Sequence, residues 1–210
     1  MASAVDICNL ALARLGDSAT VASIDPPEGS AQSEHCARFY PLARRQIFEA
    51  HNWSFLIRRE KLAPLHQESY GWPYVYAAPA RLIHIVSIFT VHDKGHENTH
   101  QFLLERDARG QNVIYTDCPD AVIRYTRDTN DTEGFTPTFI EAFAYLLASQ
   151  LAGPIISGTA SIKIGAAMAQ GYETALRAAI SRDFVQQRKS DLNYMPAWYR
   201  WRQGAPDGTH

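Results

Sequence analysis

The sequence lacks an excess of charge of either sign. Its 20 lysines and arginines nearly balance its 22 aspartates and glutamates, which leaves a formal net charge of −2. A chain so evenly charged has no global attraction for nucleic acid or for an anionic membrane. The balance argues against a soluble DNA-binding factor, because such a protein needs a basic groove and draws its affinity largely from phosphate contacts.

Cysteine is scarce, and long apolar runs are missing. The three cysteines, Cys8, Cys36 and Cys118, are odd in number and widely spaced, which excludes a disulfide framework and indicates synthesis in a reducing cytosol. The most apolar stretch, residues 142–156, is too short to cross a membrane and is predicted to be a buried helix. The first six residues lack the basic start and apolar run of a signal peptide.

Motifs of common catalytic sites are also missing. The sequence contains no Gly-x-Ser-x-Gly, Walker or Gly-x-Gly-x-x-Gly pattern, so we expect neither enzymatic activity nor a cofactor. His92, His96 and His100 could bind zinc if they lay on a helix, but the glycine and asparagine among them favour a solvated hairpin loop. Residues 128–134 depart from a calcium-binding loop and are interpreted as a polar linker.

Helical periodicity is present at both ends of the chain. It predicts helices over residues 4–15, 31–51, 135–152 and 160–187. Ser3 and Ser30 are suited to cap the first two, Pro41 should kink or restart the second, and Gly153-Pro154 should end the third. Arg44 and Arg45 are interpreted as a solvated helix face.

The middle of the chain is typical of β-structure. Strands are predicted within residues 54–62, 70–91, 103–105, 113–115 and 122–125. We therefore predict an α+β fold in which residues 1–52 and 134–188 form a bundle of about four helices. Residues 53–133 are an inserted antiparallel β-subdomain, and residues 189–210 are an extended C-terminal tail.

The third predicted helix carries almost no charge. Between residues 135 and 161 the only charged side chain is Glu141, so a helix here should be buried nearly all round. Phe139, Phe143 and Leu147 lie on one of its faces. Such a helix needs either a deep core within the chain or a neighbouring subunit.

The C-terminal tail is rich in the residue types that dominate interface energetics. Tyr194, Trp198, Tyr199 and Trp201, with Arg200 and Arg202, follow the last helix and are flanked by proline and glycine. Tryptophan and tyrosine left in water are unfavourable, so we expect these residues to bind another chain. The alternative is that the tail folds back on its own domain.

Four segments together resemble the head-to-tail adaptor proteins of short-tailed phages, also called tail tubular protein A. They comprise residues 7–16, residues 36–45 with 51–55, residues 74–82, and residues 135–152. The second is similar to the family's Tyr-x-x-x-Arg helix leading into Trp-x-Phe, here Tyr40, Arg44, Trp53 and Phe55. The order and spacing of the segments carry the resemblance, which spans residues 4–186 and leaves the tail uncovered.

The resemblance implies a structural virion protein made in the cytoplasm of a bacterial host. Such adaptors form a ring, usually of twelve copies, between the portal and a nozzle similar to tail tubular protein B, and genomic DNA passes through the lumen without sequence-specific binding. It implies that the bundle faces the portal and that the β-subdomain helps to build the ring. The low charge of the third helix would suit packing of Phe139, Phe143 and Leu147 between subunits of such a ring. The competing hypothesis is a tail-associated cell-wall hydrolase, which would need a carboxylate pair or a metal at the three histidines.

Overall fold

The computed structural model describes residues 2–90 and 100–187, with side chains to residue 185. Within these ranges the chain has an α+β fold, as predicted, with helices at both ends and antiparallel strands between them. The helices are α1 Ala4–Arg14, α2 Ala31–Glu49, α3 Pro137–Ile155 and α4 Ala160–Gln187. The strands are β1 Ile57–Lys61, β2 Tyr74–Ala77, β3 Leu82–Phe89, β4 Phe102–Arg106, β5 Asn112–Thr116 and β6 Val122–Arg127.

Three helices begin at a hydroxyl side chain. Ser3 Oγ accepts a hydrogen bond from Asp6 N at 3.1 Å, and Asp6 Oδ2 accepts one from Ser3 N at 2.8 Å, which completes the predicted capping box. Ser30 caps α2 in the predicted way, and Thr136 caps α3 ahead of a proline in the first turn. These oxygens bond amide groups that have no acceptor within the helix.

Neither of the two prolines within the helices interrupts its helix. Pro41 neither restarts α2 nor ends it, since the helix continues to Glu49. The proline is exposed, so water can bond the carbonyl oxygen that its ring leaves without an amide partner. Pro154 likewise lies inside the last turn of α3 rather than beyond its end.

The strands form two three-stranded antiparallel sheets. Their orders are β1-β6-β3 and β2-β5-β4. The inner faces of both sheets contribute to one small core, so the sheets lie face to face as a sandwich. That core consists of Leu62, Tyr76, Ile88, Ile114, Cys118, Ala121, Ile123 and Tyr125.

Backbone hydrogen bonds join the two sheets at both lateral sides of the sandwich. On one side the chain that continues β1 pairs with β2, through Leu65 N to Val75 O at 2.8 Å and Ala77 N to Ala63 O at 2.9 Å. On the other side His100 N, just before β4, donates to Ile88 O of β3 at 3.0 Å. β1 and β2 therefore lie on one side, and β3 and β4 on the other.

A larger core occupies the helical bundle, with α3 packed against the other three helices. Trp53 and Leu56 also belong to this core, so it reaches past the boundary predicted at residue 52. Because residues 53–55 are drawn into the bundle, β1 starts at Ile57 rather than at residue 54.

Candidate functional site

An aspartate, a serine and a histidine meet where the bundle joins the sandwich. The carboxylate of Asp183, near the end of α4, is 4% exposed. Its Oδ1 accepts hydrogen bonds from Ser54 Oγ at 2.6 Å and from Ser54 N at 3.1 Å. His51 Nε2 lies 3.1 Å from its Oδ2. We call these three residues the junction cluster.

The order of the groups in the junction cluster does not suit nucleophilic catalysis. A serine nucleophile needs an imidazole between the hydroxyl and the carboxylate, so that the ring can take up the proton. Here the carboxylate lies between the serine and the histidine, and the hydroxyl donates directly to it. The cluster instead fastens the end of α4 to the chain that leaves α2.

Trp53, next to Ser54, is held in place by a hydrogen bond and by aromatic contacts. Trp53 Nε1 donates to Ile47 O at 2.7 Å, and the indole packs edge-on against His51 and Phe139 with ring centroids 4.9 and 4.8 Å away. These contacts fix the chain next to Ser54, which donates its amide and hydroxyl to Asp183. The cluster links the last helix to the segment that leads into the β-subdomain.

The sequence analysis did not identify Asp183 as a structural residue. Phe184 lies four residues after Ile180 but is 58% exposed, whereas Asp183, three residues after Ile180, is buried. A spacing of three residues from Ile180 is as helical as a spacing of four, so periodicity alone permitted either residue. The sequence feature that could have indicated a buried partner such as Asp183 is the group of hydrogen-bonding side chains at residues 51, 52 and 54.

The three residues assigned to subunit packing have a different role in the structure. Phe139, Phe143 and Leu147 are each 0% exposed within a single chain. Phe139 alone contacts the rings of five aromatic residues, namely Phe48, Trp53, Phe55, Phe135 and Phe143. The low charge of α3 therefore reflects a deep internal core, and these side chains have no surface to offer a second copy.

Arg44 also differs from its interpretation as part of a solvated face. Its guanidinium is 3.0 Å from Asp128 Oδ1 and contacts the side chain of Asn130. The arginine side chain is 14% exposed. It ties α2 to the linker after β6, and this linker role of residues 128–134 agrees with the sequence interpretation.

The candidate metal ligands are only partly within the described residues. His92 and His96 lie outside them, whereas His100 Nδ1 is 3.1 Å from Asp117 Oδ1. Residues 2–90 and 100–187 contain no cluster of three or more side chains able to hold a metal ion. The tail residues Tyr194, Trp198, Tyr199, Arg200, Trp201 and Arg202 also lie outside the described residues.

A groove at the sandwich is lined by residues of the β4–β5 turn and of the segment that follows β1. It encloses about 620 Å³ and is bordered by charges of both signs, including Glu68, Glu105, Asp107 and Arg109. Tyr115 lies in its floor, where burial, Tyr70 and the nearby carboxylates raise the pKa of its hydroxyl. The mixed charges give the groove no preference for an anionic or a cationic ligand.

Two thiols and a phenol are buried in the bundle. A hydrogen bond with Cys36, together with burial, raises the pKa of the Cys8 thiol, and burial raises the pKa of Tyr40 to about 12. Because the reactive form of cysteine is the thiolate, Cys8 is a poor nucleophile here. Cys8 and Cys36 are completely buried and serve as small residues of the bundle core.

Among the described residues no helix is both long and apolar enough to traverse a lipid bilayer. No known family model matches the chain. No curated protein is significantly similar to it.

Proposed function

We propose that this chain is a non-enzymatic structural protein of a virion, a head-to-tail adaptor of a short-tailed phage. In this proposal copies of the chain form a ring, of about twelve by family resemblance, that joins the portal to the tail nozzle. Genomic DNA passes through the ring without sequence-specific contacts. The chain is made in the bacterial cytoplasm and resides at the head-tail junction.

The observation that carries the proposal is how the segments of resemblance pack. Tyr40 of the second segment lies against Phe143 of the fourth, with ring centroids 5.1 Å apart. Trp53 and Phe55 contact Phe139 at 4.8 and 5.0 Å. Motifs far apart in sequence thus meet in one core, which is what a resemblance extending over the whole fold requires.

The near-neutral net charge of the chain supports a role as a channel through which DNA passes without being bound tightly. Arginine side chains that could contact phosphates are instead engaged within the chain: Arg14 stacks 3.8 Å over the ring of Tyr145, and Arg44 pairs with Asp128. Arg58 donates to the carbonyl oxygens of Phe55 and Ile57. With a net charge of −2, the chain as a whole has no excess of positive charge to retain a passing duplex.

The tail is the proposed contact with the portal or a neighbouring subunit. The junction cluster anchors α4 at Asp183, and the tail, with Tyr194, Trp198, Tyr199 and Trp201, begins six residues later at residue 189. Phe184 and Val185, just before it, are 58% and 72% exposed. An apolar surface that leads into an aromatic segment suits a continuous binding element.

Mass photometry of the full chain, alone and with the portal protein of the same phage, tests the proposal. We expect a ring, either in solution or only on the portal. Absence of portal binding under every condition tried would contradict the adaptor function. Any peptidoglycan hydrolysis by the purified chain would contradict its non-enzymatic character.

Deletion of residues 193–210 tests the role of the tail. We expect the circular dichroism spectrum and the unfolding midpoint to be unchanged and portal binding to weaken. Trp198→Ala with Trp201→Ala should weaken binding in the same direction, whereas Gln203→Ala is a matched control. Loss of folded protein on deletion would show that the tail folds back on its own domain.

A further inference from the structure

Two cysteines that lie far apart in sequence meet in the bundle core. Cys8 is on α1 and Cys36 is on α2, and both side chains are 0% exposed. The two thiols are joined by a hydrogen bond, in which Cys8 Sγ donates to Cys36 Sγ. Both are free cysteines in this structure. The fold therefore places two reduced sulfur atoms in contact within one core.

The third cysteine, Cys118, lies in a different part of the molecule. It is buried too, but it belongs to the core of the sandwich, whereas the other two belong to the core of the bundle. Its Sγ is 3.6 Å from the carbonyl oxygen of Pro119. Of the three cysteines, Cys8 and Cys36 are thus the two that the fold brings together.

The bundle core can hold a disulfide as well as it holds two thiols. A thiol is only a weak hydrogen-bond donor, so joining the two sulfur atoms leaves no strongly polar group without a partner. α1 and α2 each pack mainly against α3 and touch one another over a small area. A bond between Cys8 and Cys36 would therefore link directly two helices that are otherwise joined through α3.

We propose that Cys8 and Cys36 form an oxidation site, a dithiol that closes to a disulfide when a small peroxide reaches the bundle core. In a reducing cytosol the pair remains as two thiols, in keeping with the free cysteines of this structure. Proteins open locally as well as globally, and opening of the 11-residue α1 gives a peroxide its path to the pair. The inference goes beyond the proposed function and does not depend on it.

Cys36 is the sulfur that attacks the peroxide. The hydrogen bond from Cys8 lowers the pKa of the Cys36 thiol, whereas the same hydrogen bond, together with burial, raises the pKa of Cys8. Because the thiolate is the nucleophile, Cys36 Sγ attacks one peroxide oxygen and the O–O bond breaks. The other oxygen leaves as hydroxide and takes up the proton that Cys36 released, which gives the first water.

Cys8 completes the reaction. Its Sγ attacks the sulfur of the sulfenic acid that has formed at Cys36, and the S–O bond breaks as the S–S bond forms. The departing oxygen takes up the proton of Cys8 and leaves as the second water. The two thiols lose two electrons and two protons, and hydrogen peroxide is reduced to two waters.

Peptide mapping of the full chain tests the proposal. The reduced protein is treated with hydrogen peroxide, denatured, blocked with N-ethylmaleimide at its remaining thiols and digested with trypsin. Cleavage after Arg14 and Arg38 separates Cys8, in residues 1–14, from Cys36, in residues 15–38. We expect these two peptides to be linked, lighter than their sum by two hydrogen atoms, and separated again by dithiothreitol. Full alkylation of both cysteines after the same treatment overturns the proposal.

Cys118→Ser is the matched control, because it removes a buried thiol from the sandwich and leaves the pair in the bundle. It should give the linked peptides in the same yield as the wild type, and Cys36→Ser should give none. In guanidinium chloride the wild-type chain should form all pairings among its three cysteines, whereas the folded chain should form one. Equal pairing in the folded and unfolded chains overturns the role of the fold.

Thermal unfolding tests whether the native fold holds the bond without strain. The bond closes the chain from residue 8 to residue 36 in the unfolded state, so oxidation should raise the unfolding midpoint by roughly 5–10 °C. Dithiothreitol should reverse the rise, and Cys36→Ser should show none. A lower midpoint in the linked chain overturns the proposal, because the fold would then have to distort to accept the disulfide.

Discussion

The bundle and the sandwich use their apolar residues differently. In the bundle, α3 lies among the other helices, and one continuous core extends from Ile7 to Ala179. In the sandwich, the buried residues divide between the core between the sheets and a small cluster of Val75, Val113 and Tyr115. Leucines of β4 remain at the surface.

The difference assigns separate roles to the two regions. Side chains buried inside one copy cannot bind another, so the bundle supplies the stability of the single chain. An outer strand with exposed apolar residues contributes less to that stability and is available for contacts. Substitutions in the bundle should therefore alter unfolding, and substitutions at the sandwich edges should alter association.

The largest effect is expected from Phe139→Ala. The ring is fully buried among five aromatic residues, and its removal leaves a cavity that costs about 3–5 kcal/mol of unfolding free energy. Leu104→Ala on β4 is the comparison and should cost well under about 1 kcal/mol. Urea denaturation of both variants provides the measurement, and similar losses would remove the distinction between the regions.

Asp183→Ala should have the next largest effect. It leaves the Ser54 amide and hydroxyl without their acceptor at a site that is 4% exposed, which costs about 2–3 kcal/mol. The neighbouring Arg182→Ala, at an exposed position, should change little. Protection of amide hydrogens in α4, followed by hydrogen exchange, should fall in the first variant only; unchanged protection would mean that the cluster does not hold the helix.

Gly171→Ala tests how closely α4 approaches α3. An added methyl group would lie 2.8 Å from ring atoms of Tyr145, whose face is already covered by Arg14. Overpacking should outweigh the better helix propensity of alanine and leave a net loss of about 1 kcal/mol. Gly153→Ala meets no atom within 4 Å and should instead stabilise α3 slightly, so the midpoints of thermal unfolding should move in opposite directions.

The smallest effect concerns the pH dependence contributed by His84 of β3, whose ring contacts the side chains of Asn52 and Thr126. Burial lowers the pKa of His84 below its ordinary value of 6.5, although Glu49 opposes the shift. The unfolded chain therefore binds more protons, and the contribution of His84 to stability is lost as the pH falls below about 6.5. His84→Gln should reduce the slope of unfolding free energy against pH in this range, and an unaltered slope would contradict the role of this histidine.

Local features of the fold were accessible from the sequence because their causes are local. The hydroxyl and carboxylate of Ser3 and Asp6 lie close enough in sequence to form a capping box, and the turn at Gly110 lies in a polar segment between two apolar ones. The order of helices and strands followed from the change in apolar period at Trp53 and its return at Phe135.

Contacts between distant segments were not accessible. Whether Phe139 faces the chain's own core or a second subunit depends on where α1, α2 and α4 lie, and periodicity states only that one face is apolar. Arg44 looked solvated because its partner, Asp128, is 84 residues further along the chain. In both cases the sequence described the side chain but not its neighbours.

Composition, caps and apolar period by themselves determined the class of the fold, the extent of each helix to within a turn and the near-neutral charge of the chain. Only the tertiary structure decided which side chains meet: the junction cluster at Asp183, the aromatic contacts of Phe139, and the placement of β1 and β4 on opposite sides of the sandwich. The physical reason is the distance along the chain over which each interaction acts. Backbone preference and amphipathic period act over a few residues, whereas burial and hydrogen bonding between distant segments are decided when the whole chain packs.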